Sequence, residues 1–90
     1  MRTLILLALV AALSACSTTG NRERCGTLLD AAWKDLDLAK AQGFDGTVSY
    51  SKALGLLTRA KANQAVEDFA ECEDTASRAR FFIAESRKGR

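Results

Sequence analysis

Between Ala65 and Ile83 an apolar or small residue returns at steps of four, three, four, three and four: Ala65, Phe69, Cys72, Ala76, Ala79 and Ile83, with Val66 and Phe82 widening the face. That spacing gathers every member on one side of a 3.6-residue helix and scatters them over both faces of a strand, so it confines the chain to helical folds. Two earlier runs repeat the pattern. Cys25, Leu29, Ala32, Leu36 and Ala39 form one stripe flanked by Leu28 and Trp33, and Tyr50, Ala53, Leu54, Leu57 and Ala60 form another. No strand alternation or proline-rich linker interrupts them.

The boundaries follow from punctuation. Gly43 suits the left-handed residue that closes a helix, with Phe44 placed for the apolar contact beyond it. Asp45-Gly46-Thr47 is a turn signal in which either Asp45 or Thr47 can cap the next helix. Gly55 lies inside the second pattern and weakens it by about 1 kcal/mol relative to Ala unless a neighbour packs close. Lys61-Ala62-Asn63-Gln64 contains neither Gly nor Pro, so a long two-helix hairpin remains an alternative. A continuous helix of about 40 residues would extend about 60 Å and find little partner surface in so short a chain. We therefore expect a break near Asn63 and an all-α, three-helix up-down-up bundle as a single domain over 24–90.

The amino-terminal residues read differently. Arg2 precedes Leu4-Ile5-Leu6-Leu7-Ala8-Leu9-Val10-Ala11-Ala12-Leu13, an apolar run of about ten residues, the length of a secretory signal and about half that of a membrane span. Ser14 and Ala15 are small, as a signal-peptidase site requires. Leu13-Ser14-Ala15-Cys16 resembles the lipobox of bacterial lipoproteins. The resemblance implies cleavage after residue 15, a diacylglyceryl group on the Cys16 sulfur and acylation, typically by palmitate, of the new amino terminus. Ser17 is similar to the residue that follows the cysteine in outer-membrane lipoproteins, with the outer face of the inner membrane as the alternative location. Each buried methylene contributes about 0.8 kcal/mol, so two or three chains hold a small domain permanently at a membrane surface. Residues 16–23, with the polar stretch Ser17-Thr18-Thr19-Gly20-Asn21, then read as a tether.

With Cys16 so assigned, Cys25 and Cys72 are an even pair in a compartment that permits disulfides. A bridge would close a loop of about 47 residues and stabilise by about 4 kcal/mol on the chain-entropy estimate, which is large beside the core of so small a domain. Buried free thiols and pairing to another chain are the alternatives. In the up-down-up arrangement the first and third helices run parallel, and both cysteines fall near their starts on the apolar stripes. A two-helix hairpin sets them at mismatched heights.

Charge is segregated along the third helix. Glu67, Asp68, Glu71, Glu73 and Asp74 open it, and Arg78, Arg80, Arg87, Lys88 and Arg90 close it, the order that complements a helix dipole. The same basic residues are candidates for contact with an acidic partner or anionic peptidoglycan at the end away from the membrane. That placement resembles the small abundant lipoprotein that ties outer membrane to cell wall, although this chain ends Lys88-Gly89-Arg90 and carries staples in place of a long trimeric coil. The near-neutral balance after signal removal disfavours nucleic acid.

Catalytic chemistry has little material. Histidine is absent, and lipidation and a disulfide leave no thiolate. Ser49-Tyr50-Ser51-Lys52 matches S-x-x-K of penicillin-recognising enzymes, but the companion motifs and the length for that fold are missing, so Ser49 and Lys52 read as exposed residues at a helix start. The carboxylate cluster sits in regular helix, where calcium loops do not form. Trp33 and Tyr50 could stack on sugars, but their flanking positions indicate core-edge packing. The helix pairs loosely resemble tetratricopeptide hairpins through Ala65-x-x-x-Phe69, without the rest of that pattern. The expected protein is a non-enzymatic structural or interaction module of the envelope, with no cofactor beyond the lipid on Cys16.

Overall fold

The computed structural model describes the backbone of residues 2–90 and the side chains from Asn21 onward. Leu13-Ser14-Ala15-Cys16 therefore lies outside the described side chains. Three helices follow in order, α1 (Arg2–Ala41), α2 (Val48–Ala65) and α3 (Phe69–Ser86), with no strand among the described residues. Short turns make α2 antiparallel to both neighbours, and α1 and α3 run parallel. The proof is a near-constant offset: Arg24 meets Glu73 49 residues on, Cys25 meets Cys72 47 on, and Gln42 meets Arg87 45 on. The fold is the expected all-α bundle, and the hairpin alternative is excluded.

Most of each stripe faces inward. Cys25, Leu29, Ala32, Leu36 and Ala39 of α1, Ala53, Leu57 and Ala60 of α2, and Phe69, Cys72, Ala76, Ala79 and Ile83 of α3 form one buried core. Leu28, Trp33, Phe44, Tyr50, Leu56 and Phe82 seal its edges. Alanine recurs on all three faces, which lets helix axes approach closely and makes every added methylene costly. Cys25 and Cys72 are bonded, with Cα atoms 5.5 Å apart and no accessible surface on either residue.

Several assignments move. The break expected near Asn63 falls at Val66-Glu67-Asp68, so Ala65 ends α2 rather than opening the third stripe, and Val66 stands 75% exposed. The reason is a capping motif: Glu67 takes φ +61°, its N–H donates to the Gln64 carbonyl (3.1 Å), and the Asp68 N–H donates to the Asn63 carbonyl (2.9 Å). A non-glycine residue in that region is strained by about 1 kcal/mol, and nothing in its residue type announces the turn. Leu54, expected in the core, is 41% exposed. Ser49, Thr75 and Ser86 are buried instead, and the Ser86 hydroxyl is satisfied by donating to the Ile83 carbonyl at 2.6 Å.

The first turn matches expectation. Gly43 has φ +90°, its N–H donates to the Lys40 carbonyl, and the Phe44 N–H donates to the Ala39 carbonyl at 2.9 Å. Thr47, not Asp45, caps α2: its Oγ1 accepts the Tyr50 N–H at 3.2 Å and donates to the Phe44 carbonyl at 2.9 Å. Gly89 repeats the left-handed closure after α3, which turns the Arg90 carbonyl back to accept the Ser49 N–H at 3.2 Å. The carboxyl end of α3 thus lies against the start of α2.

Residues 21–23, read as tether, belong to α1. Arg22 pairs with Glu67 at 3.1 Å and stands 5.1 Å over the Phe69 ring, and Arg24 pairs with Glu73 at 2.9 Å. These contacts tie the turn before Cys25 to the start of α3 and extend the helical body past the expected boundary at residue 24.

Candidate functional site

The candidate basic residues fall on two parts of the bundle. Arg87, Lys88 and Arg90 gather at the end formed by the α1–α2 turn and the close of α3, opposite the end at which Arg22 and Arg24 meet α3. There, however, they are occupied. The Lys88 ammonium and the Arg90 guanidinium both clasp Glu85, at 3.2 and 3.1 Å, and Arg87 Nε donates to Gln42 Oε1 at 3.2 Å. Arg80 faces Asp35 of α1 at 3.6 Å. Of the five, Arg78 and Arg87 have no carboxylate within ion-pair distance among the described residues, and Arg87 is held by the Gln42 amide instead. These pairs are exposed and individually weak, so they orient the side chains more than they stabilise the fold. The hydrogen bond from Lys88, followed by its charge and by Arg90, holds the Glu85 carboxyl below the ordinary value of 4.5.

The acidic start of α3 is divided in the same way. Glu67 and Glu73 serve Arg22 and Arg24, while Asp68 precedes the helix without a side-chain cap hydrogen bond. Among the described residues no group of three or more Cys, Asp or Glu is placed to hold a metal ion. The Arg22 and Arg24 contacts escaped the sequence reading, yet the signal was present: once Cys25 meets Cys72, two cations just before one cysteine must lie level with the carboxylates around the other.

Ser49 and Lys52 do not form a dyad. Ser49 is 9% exposed, a correction to its reading as a surface residue, and its backbone N–H is engaged with Arg90. Lys52 Nζ is 5.4 Å from the centroid of Phe82, a cation–π contact with α3. Trp33 and Tyr50 are half-buried against the core, in the edge-packing role. Among the described residues one surface recess of about 540 Å³ opens beside Glu23, Arg24, Thr27 and Leu28, and another of about 260 Å³ is bounded by Arg22, Gln64, Ala65, Glu67 and Phe69. Neither sets a nucleophile beside a base. Among the described residues no helix is long and apolar enough to cross a membrane.

Comparison with protein-family models, curated proteins and solved structures finds no match to this chain.

Proposed function

We propose that this chain is a lipid-anchored, non-catalytic module of the bacterial cell envelope, attached through Cys16 at the periplasmic face of the outer membrane and acting by binding another envelope component. The observation that carries this reading is the pairing of Cys25 with Cys72, which leaves Cys16, at the end of the lipobox-like Leu13-Ser14-Ala15-Cys16, as the one cysteine outside the bridge. A buried disulfide supports an oxidising compartment, the compartment to which a signal of that kind delivers a chain. The parallel arrangement of α1 and α3 supports an orientation in which the α2–α3 turn lies nearest the anchor and the α1–α2 turn farthest from it.

The test is processing. Cells expressing the chain are fed a clickable palmitate analogue and fractionated, beside the Cys16→Ser variant. Wild type should carry the label and sediment with the outer membrane, and the variant should lose the label and accumulate unprocessed. Identical mobility, labelling and fractionation of the two would overturn the proposal.

A further inference from the structure

Among the cations without carboxylate partners, three, Lys52, Arg59 and Arg78, gather along the flank where α2 packs against α3, whereas Lys34, Lys40, Lys61 and Arg87 lie off that row. Lys52, Leu56, Arg59 and Asn63 repeat at steps of four, three and four, so they share one row of α2. Glu71, Thr75, Arg78 and Phe82 repeat at the same steps on α3. The contact between Lys52 and Phe82 fixes how the antiparallel rows meet. Leu56 then falls opposite Arg78, Arg59 opposite Thr75, and Asn63 opposite Glu71.

The composition of this groove is one-sided over most of its length. α2 carries no carboxylate at all. Lys52, Arg59 and Arg78 are exposed, and none has a carboxylate within ion-pair distance among the described residues. Lys52 and Arg59 are two helical turns apart, about 10 Å along the axis. Between and beneath them lie the partly buried apolar side chains Leu56 and Phe82. At the far end of the row the Asn63 Nδ2 is a buried donor without an acceptor, and a buried donor left unpaired costs free energy that a partner's oxygen would recover. Glu71 confines the cationic section to the Lys52 end.

We propose that the α2–α3 groove is the docking surface for an acidic segment of a protein partner. The segment is a helix whose carboxylates, spaced two turns apart, meet Lys52, Arg59 and Arg78 while an apolar side chain between them covers Leu56 and Phe82. A lipid surface fits less well, because the row runs along the flank of the bundle and not across its anchored end. The assignment goes beyond the anchoring reading, and only its preference for a protein over a lipid surface rests on that reading.

The experiment uses the full chain in neutral detergent and two synthetic helical peptides, one with Glu at positions i and i+7 and Leu between them, the other with Gln in place of Glu. Binding of the Glu peptide, weakened by added salt and absent with the Gln peptide, is expected. The variant Lys52→Gln/Arg59→Gln/Arg78→Gln should bind roughly tenfold more weakly, the scale of three surface ion pairs, whereas Arg87→Gln/Lys88→Gln/Arg90→Gln should bind as wild type does. A Lys version of the peptide should bind the reversed variant Lys52→Glu/Arg59→Glu/Arg78→Glu, which separates lost recognition from lost folding. No binding of the Glu peptide, or loss of binding through the tail variant with the groove variant unaffected, would overturn the assignment. So would phosphatidylglycerol vesicles binding through Lys52, Arg59 and Arg78 when the peptide does not.

Discussion

Cys25 and Cys72 sit level with one another on parallel helices, 5.5 Å apart between Cα atoms and sealed from solvent. The bridge joins the middle of α1 to the start of α3 across 47 residues of chain, including all of α2. Its stabilisation lies mainly in the unfolded chain, whose freedom it restricts.

Replacing the pair by Cys25→Ala/Cys72→Ala should therefore lower unfolding free energy by about 4 kcal/mol in urea titrations. The slope against denaturant should rise as well, because an unbridged chain exposes more surface when it unfolds. Burial makes a second prediction. Dithiothreitol without denaturant should leave the bridge intact over times in which it is reduced promptly in urea, as thiol alkylation and mass measurement would register. Prompt native reduction would show that the α1–α3 contact opens locally.

Two glycine substitutions that look alike on paper should have opposite signs. Gly55 lies within α2 and a Cβ there would meet nothing within 4 Å, so Gly55→Ala should stabilise by about 1 kcal/mol through helix propensity and a less flexible unfolded chain. Gly43 is equally unobstructed, yet its φ of +90° belongs to a region costly for any residue with a Cβ, and Gly43→Ala should destabilise by about 1 kcal/mol. Thermal melts of the two variants beside wild type decide it; a Gly43→Ala variant as stable as wild type or more so would mean that the left-handed α1–α2 turn is not maintained, and a destabilised Gly55→Ala would mean that a neighbour packs against that position.

Acid should loosen the far end of the bundle. Glu85 has its carboxyl lowered by the Lys88 hydrogen bond first, then by the charge of Lys88 and by Arg90. A carboxyl whose folded value lies below its unfolded one contributes stability above the unfolded value and loses it as pH falls through the folded one. The contribution of Glu85 is thus complete above about pH 4.5 and fades below it. Its neutral counterpart Glu85→Gln should show a smaller loss of urea midpoint between about pH 6 and pH 3 than wild type. Equal acid slopes would assign the loss to other carboxylates.

What the sequence discloses here depends on whether an element is specified by period or by local strain. The stripes of α1 and α3 are legible because Cys25, Leu29, Ala32, Leu36 and Ala39, and likewise Phe69 to Ile83, bury the face that their spacing marks. The α2–α3 turn is not, because Glu67 adopts a left-handed backbone without the glycine that announces one at Gly43. The unpaired groove is legible only in three dimensions: whether Arg78 or Arg80 is spoken for depends on Asp35, 45 residues earlier in the chain than Arg80, and that proximity exists only once α1 lies parallel to α3.

Leu54 and Leu57 test the same distinction energetically. Both belong to one helical stripe by spacing, but α2 rotates its Ser49, Leu56 and Ala60 flank toward the core, leaving Leu57 with no accessible surface and Leu54 41% exposed. Leu57→Ala removes a side chain from a core already rich in alanine, where helices are close and cannot collapse much further, so a loss of about 3 kcal/mol is expected. Leu54→Ala should cost less, about 1 kcal/mol, since 41% of its surface stays exposed and the truncation leaves no enclosed cavity. Urea unfolding of the two variants under identical conditions makes the comparison. Similar losses would require α2 to be rotated toward α1, which would also turn Lys52 and Arg59 away from the α3 flank.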